Sequence, residues 1–271
     1  MKILLAAIML LIFTAPGTSH AGEDAILAAN NQISVRYVST YVDYGETGNG
    51  VVGAANTLLD TEKGMVPGFG FDFSLMGNKL IDNGYLDIEF SHVMGHTNYV
   101  GALIAGGPYG SIVSTSGAAI TDIGARLGKG FRLGDSFMLT PFLEIGHHRW
   151  YRGINAGETY QHDYYAGGAL AQISVGKAFV LSVNGMIGKT FNSSIYVNAF
   201  PFGFSLGLGS SSIWRAGATV DYAVNGDFHI NVGVGQTRFK YGTSGLNALG
   251  IGEPNSSTKY TTIKTGIGFA F

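Results

Sequence analysis

The sequence predicts an all-β fold, a closed antiparallel up-and-down barrel that crosses a membrane with ten strands. Three observations carry the prediction. Large apolar residues alternate with polar ones in segment after segment, the period of a strand with one oily face. Beyond the N-terminus no stretch approaches the roughly 18–20 consecutive apolar residues that a membrane helix needs. The connections between the alternating segments are long and short by turns, as in a meander whose two ends face different compartments.

Composition narrows the function. The chain has 271 residues, 42 of them Gly, with 14 Tyr, 17 Phe and no Cys. The absence of Cys excludes a disulfide scaffold, thiolate metal ligation and a thiol nucleophile. With 16 Lys plus Arg against 18 Asp plus Glu, the basic footprint of a nucleic-acid partner is missing.

Residues 1–21 read as a secretory signal peptide: Lys2 supplies the charge, Ile3 to Phe13 the apolar run, and Ser19-His20-Ala21 a small-x-small cleavage site. Residues 22–271 then form one barrel domain. The first strand places Ile33, Val35, Tyr37 and Tyr41 opposite Ser34, Arg36 and Thr40. The second alternates Phe69, Phe71, Phe73 and Leu75 with Gly70, Asp72 and Ser74, and the third sets Leu86, Ile88 and Phe90 against Asp87, Glu89 and Ser91. In the fourth, Ile123, Ala125 and Leu127 face away from Asp122, Gly124 and Arg126; in the fifth, Phe137, Leu139, Leu143 and Ile145 oppose Thr140, Glu144 and His148. Ala169, Ala171, Ile173 and Val175 oppose Gly168, Gln172 and Ser174, and Phe179, Leu181 and Val183 oppose Ser182 and Asn184. The last three set Ala216, Ala218, Val220 and Tyr222 against Arg215, Thr219 and Asp221. Phe228, Ile230, Val232 and Val234 then oppose His229, Asn231 and Gly233, and Ile263, Ile267, Phe269 and Phe271 oppose Thr262, Lys264 and Gly266.

Five long connections, at 46–64, 95–115, 152–161, 192–211 and 242–257, alternate with short turns at 78–84, 128–135, 176–178 and 225–227. Eight or twelve strands are the alternatives, because 95–115 or 192–211 has room for a hairpin. Ten charges share the polar faces: Arg36, Asp72, Asp87, Glu89, Asp122, Arg126, Glu144, Arg215, Asp221 and Lys264. Ionised groups of both signs on one face suit a lumen, with the uncharged face toward lipid. Aromatics near strand ends, among them Tyr41, Tyr44, Tyr85, Trp150, Tyr151, Tyr164, Tyr165, Trp214, Phe239, Tyr241 and Tyr260, suggest interfacial girdles. Glycines within strands, such as Gly70, Gly124, Gly168, Gly217, Gly233, Gly266 and Gly268, fall on the polar face and suggest a narrow interior.

The final segment ends on an alternating Ile267-x-Phe269-x-Phe271 with a C-terminal aromatic. With the strand pattern it resembles the Gram-negative outer-membrane β-barrel proteins, the group of small porins, opacity-type proteins and autotransporter barrels. The resemblance implies residence in the outer membrane, contact with its lipid, and insertion by the barrel assembly machinery reading Phe269 and Phe271.

No motif calls for a cofactor. Gly188-Lys189-Thr190 lacks the glycine five residues earlier that a phosphate-binding loop needs, since Val183 stands there. His147 and His148 point to opposite faces of one strand, and His92 and His96 straddle a strand end, so no metal site is expected. Asp227-Phe228-His229 and Asp87-Ile88-Glu89 resemble the elements of omptin proteases but lie toward the short-turn ends of their strands, away from where those sites open. The segment 192–211 is unusually apolar, and Phe200, Phe202 and Phe204 are candidates either for packing onto the mouth or for contact with an apolar solute or host surface. The expected function is therefore a non-enzymatic barrel displaying surface loops around a filled lumen. A narrow porin-like channel for small solutes is the first alternative, and an outer-membrane hydrolase the second.

Overall fold

A computed structural model describes residues 21–77, 81–102, 107–198 and 202–271. The segment 1–21 expected to be a signal peptide thus lies outside the described residues except for Ala21, and so does Phe200. A helix, α1 (Ala21–Ala29), precedes β1 (Gln32–Thr47), β2 (Leu58–Gly77), β3 (Gly84–Gly101), β4 (Ile112–Lys129), β5 (Phe131–Arg132) and β6 (Phe137–Arg152). Then come β7 (Glu158–Val175), β8 (Phe179–Val197), β9 (Phe204–Gly207), β10 (Ser212–Ala223), β11 (Phe228–Phe239) and β12 (Asn255–Ala270).

Ten of these close a barrel. The order β10-β11-β12-β1-β2-β3-β4-β6-β7-β8 returns to β10 through the pairing of β10 with β8, every neighbour antiparallel. The two short extras sit outside the closure: β5 pairs with β6, and β9 folds back on the end of β8. Closure pairs every long strand on both sides and leaves no long open edge. Both chain ends meet on the short-turn side, where the Phe271 amide donates to the Asn31 carbonyl at 3.1 Å.

Side-chain direction settles which face is inside. Ile33, Val35, Phe69, Phe71, Leu143, Ile145, Ile187, Val232 and Ile267 are exposed on the outer wall, while Ser34, Asp72, Asp87, Glu144, Gln172 and Asn231 are buried within. An apolar wall this continuous is stable only in lipid.

Two features depart from the sequence reading. Most strands are 16–20 residues long, well beyond the roughly 9–11 that a tilted crossing needs. The excess is on the long-loop side, where pairing continues through Glu46↔Asp60, Thr97↔Ser116 and Arg152↔Glu158, so much of each expected loop is ladder. These extensions are rich in Thr, Ser, Glu and Gly, which hid their strand character. The second departure is the girdle. Tyr41, Tyr151, Tyr165 and Trp214 do face outward, but Tyr44, Tyr85, Trp150, Tyr164, Phe239, Tyr241 and Tyr260 are buried inside. These seven of the eleven aromatics expected at the membrane interfaces are directed inward and fill the barrel.

Helix α1 is an addition. Ala25, Leu27, Ala28 and Ala29 are strong helix formers. It packs against the inner ends of β6, β7 and β8, burying Ile26. The Asn30 and Gln172 amides exchange hydrogen bonds at 2.7 and 3.1 Å, which pins the foot of the helix across the short-turn opening.

Glycine marks where the interior is tightest. A side chain at Gly146 would collide with the Tyr164 ring, and one at Gly268 with the Gln32 amide.

Candidate functional site

All ten charges expected in the lumen are there, and each has a partner. Arg36 binds Asp72 at 2.9 Å, and Arg126 bridges Asp87 at 3.0 Å and Glu144 at 2.6 Å. Glu144 also accepts from Arg215 at 2.9 Å and from the Tyr164 hydroxyl at 2.6 Å, and Lys264 pairs with Glu89. Asp122 holds His148 Nδ1 at 2.7 Å, and Asp221 holds His229 Nδ1 at 2.6 Å with Gln32 donating to its other oxygen at 3.1 Å. Each pair joins β-strands whose inward residues alternation alone could not match. Charges desolvated in this way are tolerated only when paired and hydrogen-bonded.

Above this belt the sequence reading missed a second constellation. Arg152, buried at the long-loop end, donates to Glu62 at 2.6 Å, to Glu46 and Asp60 at 3.0 Å each, and to Glu158 at 3.2 Å. Its guanidinium lies 4.6 Å from the Tyr44 ring centre and 5.1 Å from that of Trp150. Tyr160 donates to Glu253 at 2.8 Å, and its ring packs tilted against Tyr241 with the ring centres 4.5 Å apart. All five carboxylates belong to regions expected to be loops, so their face was not assigned. The usable signal was the alternation Asp60-Thr61-Glu62 and Trp150-Tyr151-Arg152, which continues the register of β2 and β6.

Five acids around one guanidinium leave surplus negative charge. Burial, reinforced by the charge of Glu46, pushes the Asp60 carboxyl up to about 8 against the pull of Arg152. Burial likewise raises Glu158 and raises Glu253 well above the ordinary carboxylate range.

Below Arg152, Trp150, Tyr160, Tyr241, Phe239, His148 and His162 form a packed layer across the lumen, with ring-centre separations such as 4.7 Å for His162–Phe239 and 4.9 Å for His148–His162. One cavity of about 90 Å³ lies between this layer and the charge belt, another of about 140 Å³ lies between the belt and α1, and a third of about 440 Å³ lies at the short-turn end beside α1, lined by Ala25, Lys177, Asp221 and His229.

Of the other candidates, Phe202 is exposed (83%), Phe204 packs partly onto the core and Leu206 beside it is buried. Phe269 and Phe271 face outward on β12 and beyond it, with Phe271 stacked on Phe73 at 5.9 Å. The partner of His229 is Asp221, whereas Asp227 stands exposed in its turn.

The fold is that of a Gram-negative outer-membrane β-barrel. Among solved structures, the outer membrane protease OmpT of Escherichia coli superposes at TM-score 0.52 and 8% identity over 89% of this chain and 95% of that one. The translocator domain of the autotransporter NalP from Neisseria meningitidis gives 0.39 at 13% identity, covering 100% and 94%. Ail, the attachment invasion locus protein of Yersinia pestis, gives 0.33 at 13% identity, covering 89% and 99%. No family model and no curated relative matches the chain.

Proposed function

We propose that this is a non-enzymatic barrel of the outer membrane whose lumen is closed and whose specificity resides in its extracellular strands and loops. One observation supports the reading: three sets of contacts span the lumen, α1 with the Asn30–Gln172 pair, the belt of ion pairs, and the aromatic layer under Arg152. The two cavities along the lumen, of about 90 and 140 Å³, have room for waters, and the larger one of about 440 Å³ lies at the short-turn opening beside α1. On this reading residues 1–21 direct export, and Phe269 with Phe271 are read by the barrel assembly machinery.

OmpT is a protease, yet an analogous activity finds little support in this chain. Among the described residues no imidazole touches the carboxylates around Arg152: His96 stands exposed beside Thr97 on β3, and His148 and His162 lie buried within the aromatic layer. The exposed Phe202 and the neighbouring apolar segment are the better candidates for contact with an apolar solute or host surface.

Planar-bilayer recording of the refolded full-length protein tests the proposal. The expected result is electrical silence; steady unitary conductance would overturn it in favour of the narrow channel.

A further inference from the structure

The outer wall changes character at one depth. From the short-turn end, the outward positions of β6 run Phe137, Leu139, Pro141, Leu143, Ile145 and then His147 and Arg149. Those of β8 run Phe179, Leu181, Val183, Gly185, Ile187 and then Lys189, and those of β7 reach Tyr165 and then Asp163. On three adjacent strands the aliphatic wall therefore gives way to polar side chains, followed on β6 and β8 by the exposed aromatics Tyr151 and Phe191, the mixture that suits the level of lipid headgroups.

These side chains are organised. A bulge in β8 adds one residue opposite Gln161–Asp163, and Asn192 takes a left-handed backbone (φ 50°) there, so that Phe191 and Asn192 both face outward. The turned Asn192 amide donates to Asp163 at 3.0 Å, and Asp163 holds His147 Nδ1 at 2.8 Å. This relay ties the imidazole to β7, with Arg149 the next outward residue of β6 toward the long loops and Lys189 of β8 paired with Tyr165, the next outward residue of β7 toward the short turns. Neither Arg149 nor Lys189 meets a carboxylate among the described residues, whereas on the opposite side of the barrel Lys63 and Lys259 share Asp43 at 3.1 and 2.5 Å.

We propose that His147, Arg149 and Lys189 form a binding site for the phosphomonoester headgroup of an outer-leaflet lipid, with Asp163 and Asn192 as positioning residues. A phosphomonoester carries close to two negative charges and three acceptor oxygens, which matches a guanidinium, an ammonium and an imidazole on one surface. A phosphodiester offers one charge and fewer free oxygens. The acyl chains would lie on Ile145, Leu143 and Ile187 directly below. The site is on the outside of the wall and does not depend on whether the lumen is closed.

The test is native mass spectrometry of the full-length refolded barrel in phosphatidylcholine doped with phosphatidic acid or phosphatidylglycerol, each variant first checked for heat-modifiable gel mobility. Wild type should retain phosphatidic acid about tenfold over phosphatidylglycerol, and R149Q/K189Q should remove that preference. D163N and N192A should weaken it partially, because they act through His147, and K177Q in the opposite turn should leave it intact. If the double variant does not fold, the single variants R149Q and K189Q carry the same comparison. Equal retention of the two lipids, or a preference unchanged in R149Q/K189Q, overturns the site. Displacement of phosphatidic acid by millimolar inorganic phosphate overturns the lipid assignment in favour of a free-phosphate site.

Discussion

Arg152 on β6 donates a 2.6 Å hydrogen bond to Glu62 on β2, across the interior of a barrel in which β3 and β4 separate those two strands along the wall. The bond is a strut through the lumen. It ties together the extensions that rise past the membrane, and its partners Glu46, Asp60 and Glu158 bring β1, β2 and β7 to the same guanidinium.

Replacing Arg152 by Met should leave Glu62 buried without its counter-charge, at a cost of about 3–5 kcal/mol concentrated in the mouth. Amide hydrogen exchange should rise along the outer ends of β1, β2, β6 and β7 while the membrane-level ladder stays protected. Adding E62Q to R152M should recover part of the loss, since that buried charge then goes with its partner. Unchanged exchange in R152M would show that the strut carries no stability.

The mouth should loosen as pH rises. The Asp60 carboxyl is held up to about 8 in the folded protein against 3.8 in the free residue, so the folded state retains a proton that the unfolded state gives up. By linkage its contribution is fully present below about pH 3.8 and is lost as pH climbs through about 8. Thermal unfolding between pH 5 and 9 should fall more steeply for wild type than for D60N, and parallel slopes would refute the assignment.

Deleting residues 22–30 removes α1 together with Asn30, whose bonds to Gln172 close the short-turn opening. Because the aromatic layer and Arg152 close the other end independently, the deletion alone should stay silent in a planar bilayer. Combined with R152M it should admit small ions in brief openings. Conductance from the helix deletion alone would mean that the upper layer does not seal.

Phe202 and Leu206 are four residues apart and should behave oppositely. Phe202→Ser changes an exposed side chain and should alter stability by no more than about 0.5 kcal/mol. Leu206→Ala empties a buried position on β9 against Ile195 of β8 and should cost about 2–4 kcal/mol, lessened by any collapse of the site. Urea unfolding of the two variants in detergent separates them, and a large loss from F202S would mean that Phe202 is packed in solution.

Much of this was legible in the chain. Period-two alternation in Phe69 to Leu75 or Phe228 to Val234 states which residues share a face, and the tally of charges on one of those faces states which face avoids lipid. Helix α1 was overlooked because nine residues beside a signal-like segment carry little periodic signal. The Arg152 cluster was overlooked because Glu46, Glu62 and Glu158 were assigned to loops, where parity has no meaning.

The sequence by itself determined the fold class, the ten wall strands, the inward set of charges and the absence of Cys chemistry, because these follow from local alternation and composition. Only the tertiary structure decided who meets whom: Arg126 with Asp87 and Glu144, His229 with Asp221, Arg152 with acids from three other strands, and Asn192 with Asp163. The physical reason is that alternation specifies a side chain's face but not its height. Height comes from strand tilt and register stagger, which belong to the closed barrel as a whole. That stagger places the aromatics expected in lipid-facing girdles at inward positions, so that Trp150, Tyr160 and Tyr241 stop the lumen instead of bordering the membrane.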